Sequence, residues 1–507
     1  MRRRDHMGPN TFPVSPKAYA MIRGSAFRFP PSALPSPRLL VHPACLSERD
    51  GTGAHMNIST AGCLTVVGTL IAGAAWSESA PPPAPPYADD PTTIATLNAL
   101  GEGAGLYLPP CKAEGKGIEM VSGFSKRGPS VRDYGNKMVY APDRQTGMYA
   151  GANHGAPHRL NDVSEYHLGS NAWHLILAPV GGDQGRIRRT EADIKAGKDI
   201  DKNKAFLTNW FATNVAVTNG YIQTQGGGPL FPWHTWDGLA YDASARRLLW
   251  AVLDNDSVQD GYLKTYAEQT GQELESLKRQ HKPGTGLYLF DPATGWQRQI
   301  GPDPRPYLRG MGGSLTYIPE LKKTIWYCAA ENVTPTDFAM WAYDAAANTW
   351  TDLKPNGGKS IRDLVHVDKV APGDEVQMAW SSIHKKLVAV REHDTFVYDL
   401  ASNAWSKVCS DARNQASDQA TVFAYDSNAD VFLLLNDYKG TWDLARELRA
   451  FDLKTATWET IVPKGYMVTK PPYCGTAGYY DEHHNVFVVY NSTERVWVYR
   501  HKPTRKK

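Results

Sequence analysis

Cysteine is scarce in this chain: six residues in 507, with Cys111, Cys328, Cys409 and Cys474 the four beyond the N-terminal leader. None has metal-ligand spacing, so no cysteine-built metal centre is indicated. An even count in an exported chain permits disulfides in three pairings, and buried free thiols are the other reading. Long apolar runs are also missing. The longest, Cys63–Ala75, is too short to span a bilayer. No strong charge of one sign is present. The formal net charge is +3, but residues 1–55 hold eight Lys or Arg against three Asp or Glu. The remainder carries 47 basic and 49 acidic residues. A near-neutral body gives no electrostatic reason to expect nucleic acid or an anionic membrane as partner. The zinc-protease His pattern, the nucleophile elbow and the Walker loop are absent. Gly226-Gly227-Gly228-Pro229 is no phosphate loop, because no strand and helix flank it. Few segments have helical period.

What the chain does have is a repeated phrase. AMWAYDAAANTW ends at Trp350, TFVYDLASNAW at Trp405 and LRAFDLKTATW at Trp458. LYLFDPATGW ends at Trp296 with a turn one residue shorter, and SEYHLGSNAW ends at Trp173 with His167 in the Asp place. Asp344, Asp399 and Asp452 each precede their Trp by the same interval. A fixed ruler recurring along a chain marks a repeat architecture. Each phrase reads as a strand, a polar turn and a Trp opening the next strand, packed on a neighbouring sheet. One four-stranded sheet cannot bury both faces alone. Several stacked radially can, leaving only short edges. The expectation is an all-β, six-bladed β-propeller.

The Tyr-Asp…Trp phrase resembles the repeat of the Kelch family, including the propeller of galactose-oxidase-like proteins. The resemblance covers roughly residues 132–500. The double glycine of many Kelch repeats is mostly missing, with Gly151-Ala152 the nearest match. The chain is therefore similar to a divergent Kelch-type propeller.

Residues 1–55, rich in Arg, Pro and Ser, read as a disordered leader or a mis-assigned start. Residues 56–80, opening at Met56, read as a signal peptide with Ala75-Trp76-Ser77 as the cleavage site. Export to the periplasm or the exterior follows. Residues 81–105 read as a Pro-rich linker, residues 106–502 as the propeller and 503–507 as a solvated basic tail. First strands are expected at 134–141, 236–242, 312–319, 376–381, 420–426 and 476–481. The sixth blade is one strand short, and a segment within 117–123 (GIEMVSG) is expected to complete it. One inserted helix is expected in 259–281, where Leu263, Tyr266, Ala267, Thr270, Leu274 and Leu277 fall at helical spacing.

Long insertions fall only between second and third strands and between blades. In an up-and-down blade these share one face, so they crowd one mouth of the ring. Arg132, Asp133, His234, Asp237, Arg309, Asp374, Glu375 and Asp418 stand there at or near the first-strand starts, and His154, His158 and Arg159 in the first inserted loop could join them. Such a ring suits a polar ligand, a glycan or a protein surface, with stacking from Trp233, Trp236 or Trp442. A ring of residues bridging blades around a water-filled channel is the plainer reading. The galactose-oxidase resemblance implies copper only under an alternative enzymatic reading, with His154, His158, His234, Tyr134 and Cys474 of the right types. A sugar epimerase or lyase is the other enzymatic form. No cofactor is otherwise expected. His483-His484 lies in a short turn at the opposite face and reads as exposed, so no metal site is assigned. The chain is expected to be a monomer.

Overall fold

The computed structural model describes residues 84–503, except 131, 133–136, 152–159, 183–184, 219, 231, 233–234, 253–255, 281–285, 300–303, 305, 307–312, 329–338, 358–360, 362–375, 415–420, 437–445 and 470–475. The expected leader, the expected export segment and the tail beyond 503 lie outside the described residues. Contacts divide the chain at Glu78, and residues Ser79–Lys507 form one unit.

That unit is a six-bladed β-propeller. The sheets follow one another along the chain as antiparallel four-stranded meanders. Their innermost strands are Val139–Ala141, Leu239–Asp242, Ser314–Ile318, Gln377–Ser381, Val422–Asp426 and Ala477–Asp481. Each touches the next, and the last touches the first, closing the ring. All six overlap the strands expected from the sequence.

The repeat has a physical cause. Asp344 Oδ1 accepts from the backbone N–H of Ala346 and Ala347 at 3.1 and 2.9 Å. Asp399 and Asp452 do the same for the turns that follow them. In the first copy His167 Nδ1 accepts from Ser170 N at 3.2 Å, so an imidazole replaces the carboxylate as turn acceptor. The four-residue turns end in a left-handed residue: Asn171, Asn348, Asn403 and Ala456 have φ between 49 and 55°. The residue before Asp is the direct cross-strand partner of Trp, as in Tyr343 with Trp350 and Tyr398 with Trp405. The rings stand 4.9 and 5.3 Å apart, a favourable tilted contact. Three of the indoles then hydrogen-bond to the preceding blade. Trp296 Nε1 donates to Asn161 O, Trp405 Nε1 to Met340 Sδ and Trp458 Nε1 to Thr395 Oγ1.

Ring closure differs from expectation in one detail. The fourth strand of blade six does come from the N-terminal side, but it is Ala104–Tyr107, antiparallel to Trp497–Arg500. Residues 117–123 instead hold a short 3₁₀ turn, Ile118–Met120, between Gly117 at φ 84° and Gly123 at φ 76°. Gly105 permits the strand: a Cβ there would lie 2.7 Å from both the Trp497 ring and Tyr466 O. Within the expected linker, Pro91–Ala99 is a helix capped by Asp90, whose carboxylate accepts from Thr92 and Thr93 N–H. Two parallel strands line outer edges, Lys112–Gly115 on blade one and Lys464–Gly465 on blade six.

The insertions are more helical than the sequence suggested. The blade-two insertion holds two helices, Asp256–Thr270 and Leu274–Gln280. The connection between blades one and two adds Gly185–Lys195, Ile200–Asn214 and a two-stranded sheet, Val215–Thr218 with Tyr221–Thr224. Leu207, Trp210, Phe211, Ile222, Leu263 and Leu277 form a separate core that joins the two insertions into a cap. Cys111 and Cys409 are free thiols, which rules out all three complete disulfide pairings. Cys474 lies outside the described residues. Among the described residues no helix is long and apolar enough to cross a membrane.

Candidate functional site

The two ends of the ring are unequal. Among the described turns, those joining first to second and third to fourth strands are four residues long, save the three-residue turn after Asp291. All of these lie at one end. The cap rises from the other end, as every long connection must, given the strand directions.

At the mouth the first strands begin, and two expected residues are described there. Asp237 sits on the axis side. Its Oδ2 receives Lys137 Nζ at 3.0 Å, the Ser314 hydroxyl, and Met378 N–H at 3.3 Å. Lys137 Nζ also donates to Leu315 O at 2.6 Å. One carboxylate therefore ties together blades one, two, three and four. Burial pushes its pKa above the usual carboxylate range, against the pull of Lys137 and the hydrogen bonds from Ser314 and Met378. Neighbouring strand starts are also bridged directly, Asp237 with Ser314 and Lys137 with Gly478.

Arg132, 1% exposed, is buried in blade one. Its guanidinium donates to Gly151 O and to Asp162 Oδ1, both at 2.6 Å. It fastens the start of blade one to the loop expected to carry ligand contacts. The residues Asp133, His154, His158, Arg159, His234, Arg309, Asp374 and Glu375 lie outside the described residues, as do Asp418, Trp233, Trp442, Tyr134 and the Cys474 of the copper alternative. Trp236 is buried and left-handed, at φ 47°. Of the expected site residues that are described, Asp237 joins four blades, whereas Arg132 bonds within blade one.

Sequence reasoning missed Lys137. A lysine two residues ahead of the apolar inner strand Val139–Ala141 was the available signal. It also missed a cavity of about 330 Å³ between the cap and the outer strand of blade two, reaching Asn348 of blade three. Gln223 and Thr218 line it from the cap, and Trp296, Arg298 and Gln299 from the blade. The Arg298 guanidinium lies 4.0 Å over the Tyr221 ring and donates to Tyr288 Oη at 2.7 Å. Gln299 is 5% exposed, and its side-chain nitrogen has no hydrogen-bond partner among the described residues. A buried donor of this kind is costly unless something accepts from it. Amides, a guanidinium and an indole around a small cavity suit a neutral polyhydroxylated ligand. Asn161, fully buried, holds the cavity's frame: Nδ2 donates to Pro229 O, and Oδ1 accepts from Val180 N–H.

Fold and mouth together define a six-bladed β-propeller with a helix-bearing cap at one end. No protein-family model matches the chain, and no curated protein matches it in sequence. Solved structures do resemble it. An auxiliary nutrient binding protein from Bacteroides ovatus matches with 10% identity over 78% of this chain and 76% of its own, at a TM-score of 0.38. An auxiliary nutrient binding protein from Bacteroides thetaiotaomicron matches with 8% identity over 73% and 69%, at a TM-score of 0.39. Likenesses this loose assign no ligand.

Proposed function

We propose that this chain is an exported, divergent Kelch-like propeller that binds a partner, a glycan before a protein, at its capped mouth. The observation that carries the reading is the one-sided elaboration of the ring. Short turns close one end, while insertions with their own apolar core build up the other. Rigid scaffolds that concentrate long connections at one end use that end for recognition. The cavity lined by Gln223, Arg298 and Gln299 runs along the flank of blade two rather than across the mouth, and its wall of hydrogen-bond donors beside an indole favours a glycan that reaches down from the cap. Lys137 and Asp237 neutralise one another at the axis, so that pair does not call for a charged ligand. The enzymatic alternative, a copper oxidase or a sugar epimerase or lyase at the same mouth, draws on histidines outside the described residues.

A glycan array on untagged protein, run beside metal analysis and an assay for alcohol-dependent peroxide release, tests this. Saturable glycan binding without turnover, weakened at least tenfold by Gln299→Ala, is expected. Bound copper with peroxide release would establish the enzyme instead. Absence of any glycan binding would remove the glycan reading.

A further inference from the structure

At the end of the ring opposite the cap, the turn between the first two strands of blade six carries His483 and His484. His484 is set in place by its own turn. Asp481 Oδ1 accepts from His484 N–H at 2.9 Å and lies 3.1 Å from His484 Nδ1. With Nδ1 bound to that carboxylate, the remaining ring nitrogen, Nε2, is the one free to ligate. The His484 side chain is 8% exposed, and Nε2 is buried with no hydrogen-bond partner among the described residues. A carboxylate on one imidazole nitrogen and an unfilled position on the other is the arrangement that orients metal-binding histidines.

The N-terminal segment brings a third group. Asp90 N–H donates to Gly169 O at 2.9 Å, which draws Asp89 onto the blade-one turn. Gly169 is what allows this approach, since a Cβ there would lie 1.9 Å from Asp89 Oδ1. Tyr87, two residues earlier, stacks on His174 at 3.7 Å and donates its hydroxyl to Glu165. Thus anchored, Asp89, His483 and His484 each offer one ligand atom, all within 4.8 Å of one another. Ligand atoms around tetrahedral zinc stand roughly 3.3 Å apart, given metal–ligand bonds of about 2.0–2.1 Å. Asp89 and His483 are exposed and can close that gap by rotamer changes, Asp89 giving up its 3.7 Å approach to His167 Nε2, while His484 stays fixed.

From these observations we infer that Asp89, His483 and His484 form a binding site for a borderline divalent cation of the zinc, cobalt or nickel type. Two imidazoles and one carboxylate select such ions over calcium or magnesium, which take oxygen ligands. The fourth position opens on a cavity of about 500 Å³ that also borders Glu102 and Arg500, leaving room for water. The site does not depend on the mouth and makes no claim about what the mouth binds. Its physical effect is to clamp the N-terminal segment to blade six, whose last strand that same segment supplies.

The test uses the untagged protein, titrated with Zn²⁺ and with Co²⁺ after chelation and dialysis. One equivalent should bind with saturable heat, and Co²⁺ should show the intense visible absorption of a tetrahedral site. His483→Ala, His484→Ala and Asp89→Asn should each weaken binding at least tenfold. His484→Ala removes a buried ring, so His483→Ala and Asp89→Asn, both at exposed positions, carry the assignment if it misfolds. Zn²⁺ should also slow proteolysis between residues 84 and 90 in the parent but not in Asp89→Asn. Binding that survives His483→Ala and Asp89→Asn, or the absence of one-to-one binding, overturns the proposal. So does loss in the histidine variant alone, because the clamp requires Asp89.

Discussion

Lys137 Nζ lies 3.0 Å from Asp237 Oδ2, at 15% and 9% side-chain exposure, joining the first strand of blade one to that of blade two at the mouth. Replacing Lys137 with Met leaves the Asp237 charge buried without its counter-ion. The expected loss is about 3–5 kcal/mol of unfolding free energy at neutral pH, read from urea denaturation. Asp237→Asn in the same chain should restore part of it. The deficit should also shrink on acidification. Burial raises the folded-state pKa of Asp237 above its unfolded value, so its contribution is most favourable at low pH and declines as pH rises through the folded pKa. A deficit that grows on acidification would falsify this account of the pair.

Asn403 reports on the repeat itself. It sits at φ 49°, accepts from Tyr398 Oη at 2.7 Å and donates to Leu353 O at 2.6 Å. Asn403→Ala should cost about 1–3 kcal/mol through the lost hydrogen bonds. Asn403→Val should cost more, since a β-branched residue resists positive φ. Asn403→Asp, which keeps the acceptor for Tyr398, should cost least. Equal costs for all three, measured in parallel denaturations, would show that the turn does not govern the blade.

His501 gives the chain a directional pH response. It is 8% exposed, with Tyr499 Oη 3.0 Å from Nδ1, Lys502 and Glu102 nearby and a Glu459 oxygen 4.0 Å from Nε2. Burial, aided by Lys502 and opposed by Glu102, lowers its pKa from 6.5 to about 4. A depressed folded pKa means the contribution is whole above the unfolded value and drains away as pH falls towards about 4. The full effect is on the order of 3 kcal/mol. His501→Gln should flatten the stability curve between these limits without abolishing its slope, because burial also lowers His167 and His174. An unchanged slope in His501→Gln would contradict this.

The N-terminal strand should be indispensable. Arg500 Nη1 donates to Leu97 O at 2.9 Å and Leu100 O at 2.6 Å, and Ala104–Tyr107 covers the edge of Trp497–Arg500. A chain beginning at residue 108 should be aggregated or several kcal/mol less stable by chromatography and calorimetry. A peptide spanning residues 84–107, added in trans, should recover the fold. A truncated chain as stable as the parent would show that the ring closes without this strand.

The propeller was legible because its signal is local. Asp399 must cap its own turn and Trp405 must face Tyr398 directly, so both appear at fixed spacing whatever the rest of the chain does. Ring closure was legible as a need but not as a segment. The run at 117–123 was expected to close it, while AGLY at 104–107 does, and its close packing on Trp497 demands the very glycine that lowers strand propensity. The helix at Ile200–Asn214 had a readable trace in Leu207, Trp210 and Phe211, one apolar face at helical spacing, diluted by polar neighbours. The partnership of Lys137 with Asp237, and that of Asp89 with His483 and His484, joins residues far apart in the chain. No local pattern announces either, because each exists only once the circle is complete.

The short parallel strands on blades one and six carry a consequence for crowded surroundings. Lys112–Gly115 and Lys464–Gly465 occupy the outer rims on either side of the seam where the circle joins. Another chain cannot zip directly onto Ala172–Leu177 or Ala104–Tyr107 at those positions, because their hydrogen-bonding sides are already taken. Lateral pairing at blades one and six would therefore meet only the added strands, four and two residues long, and leave untouched the weld that holds the wheel shut.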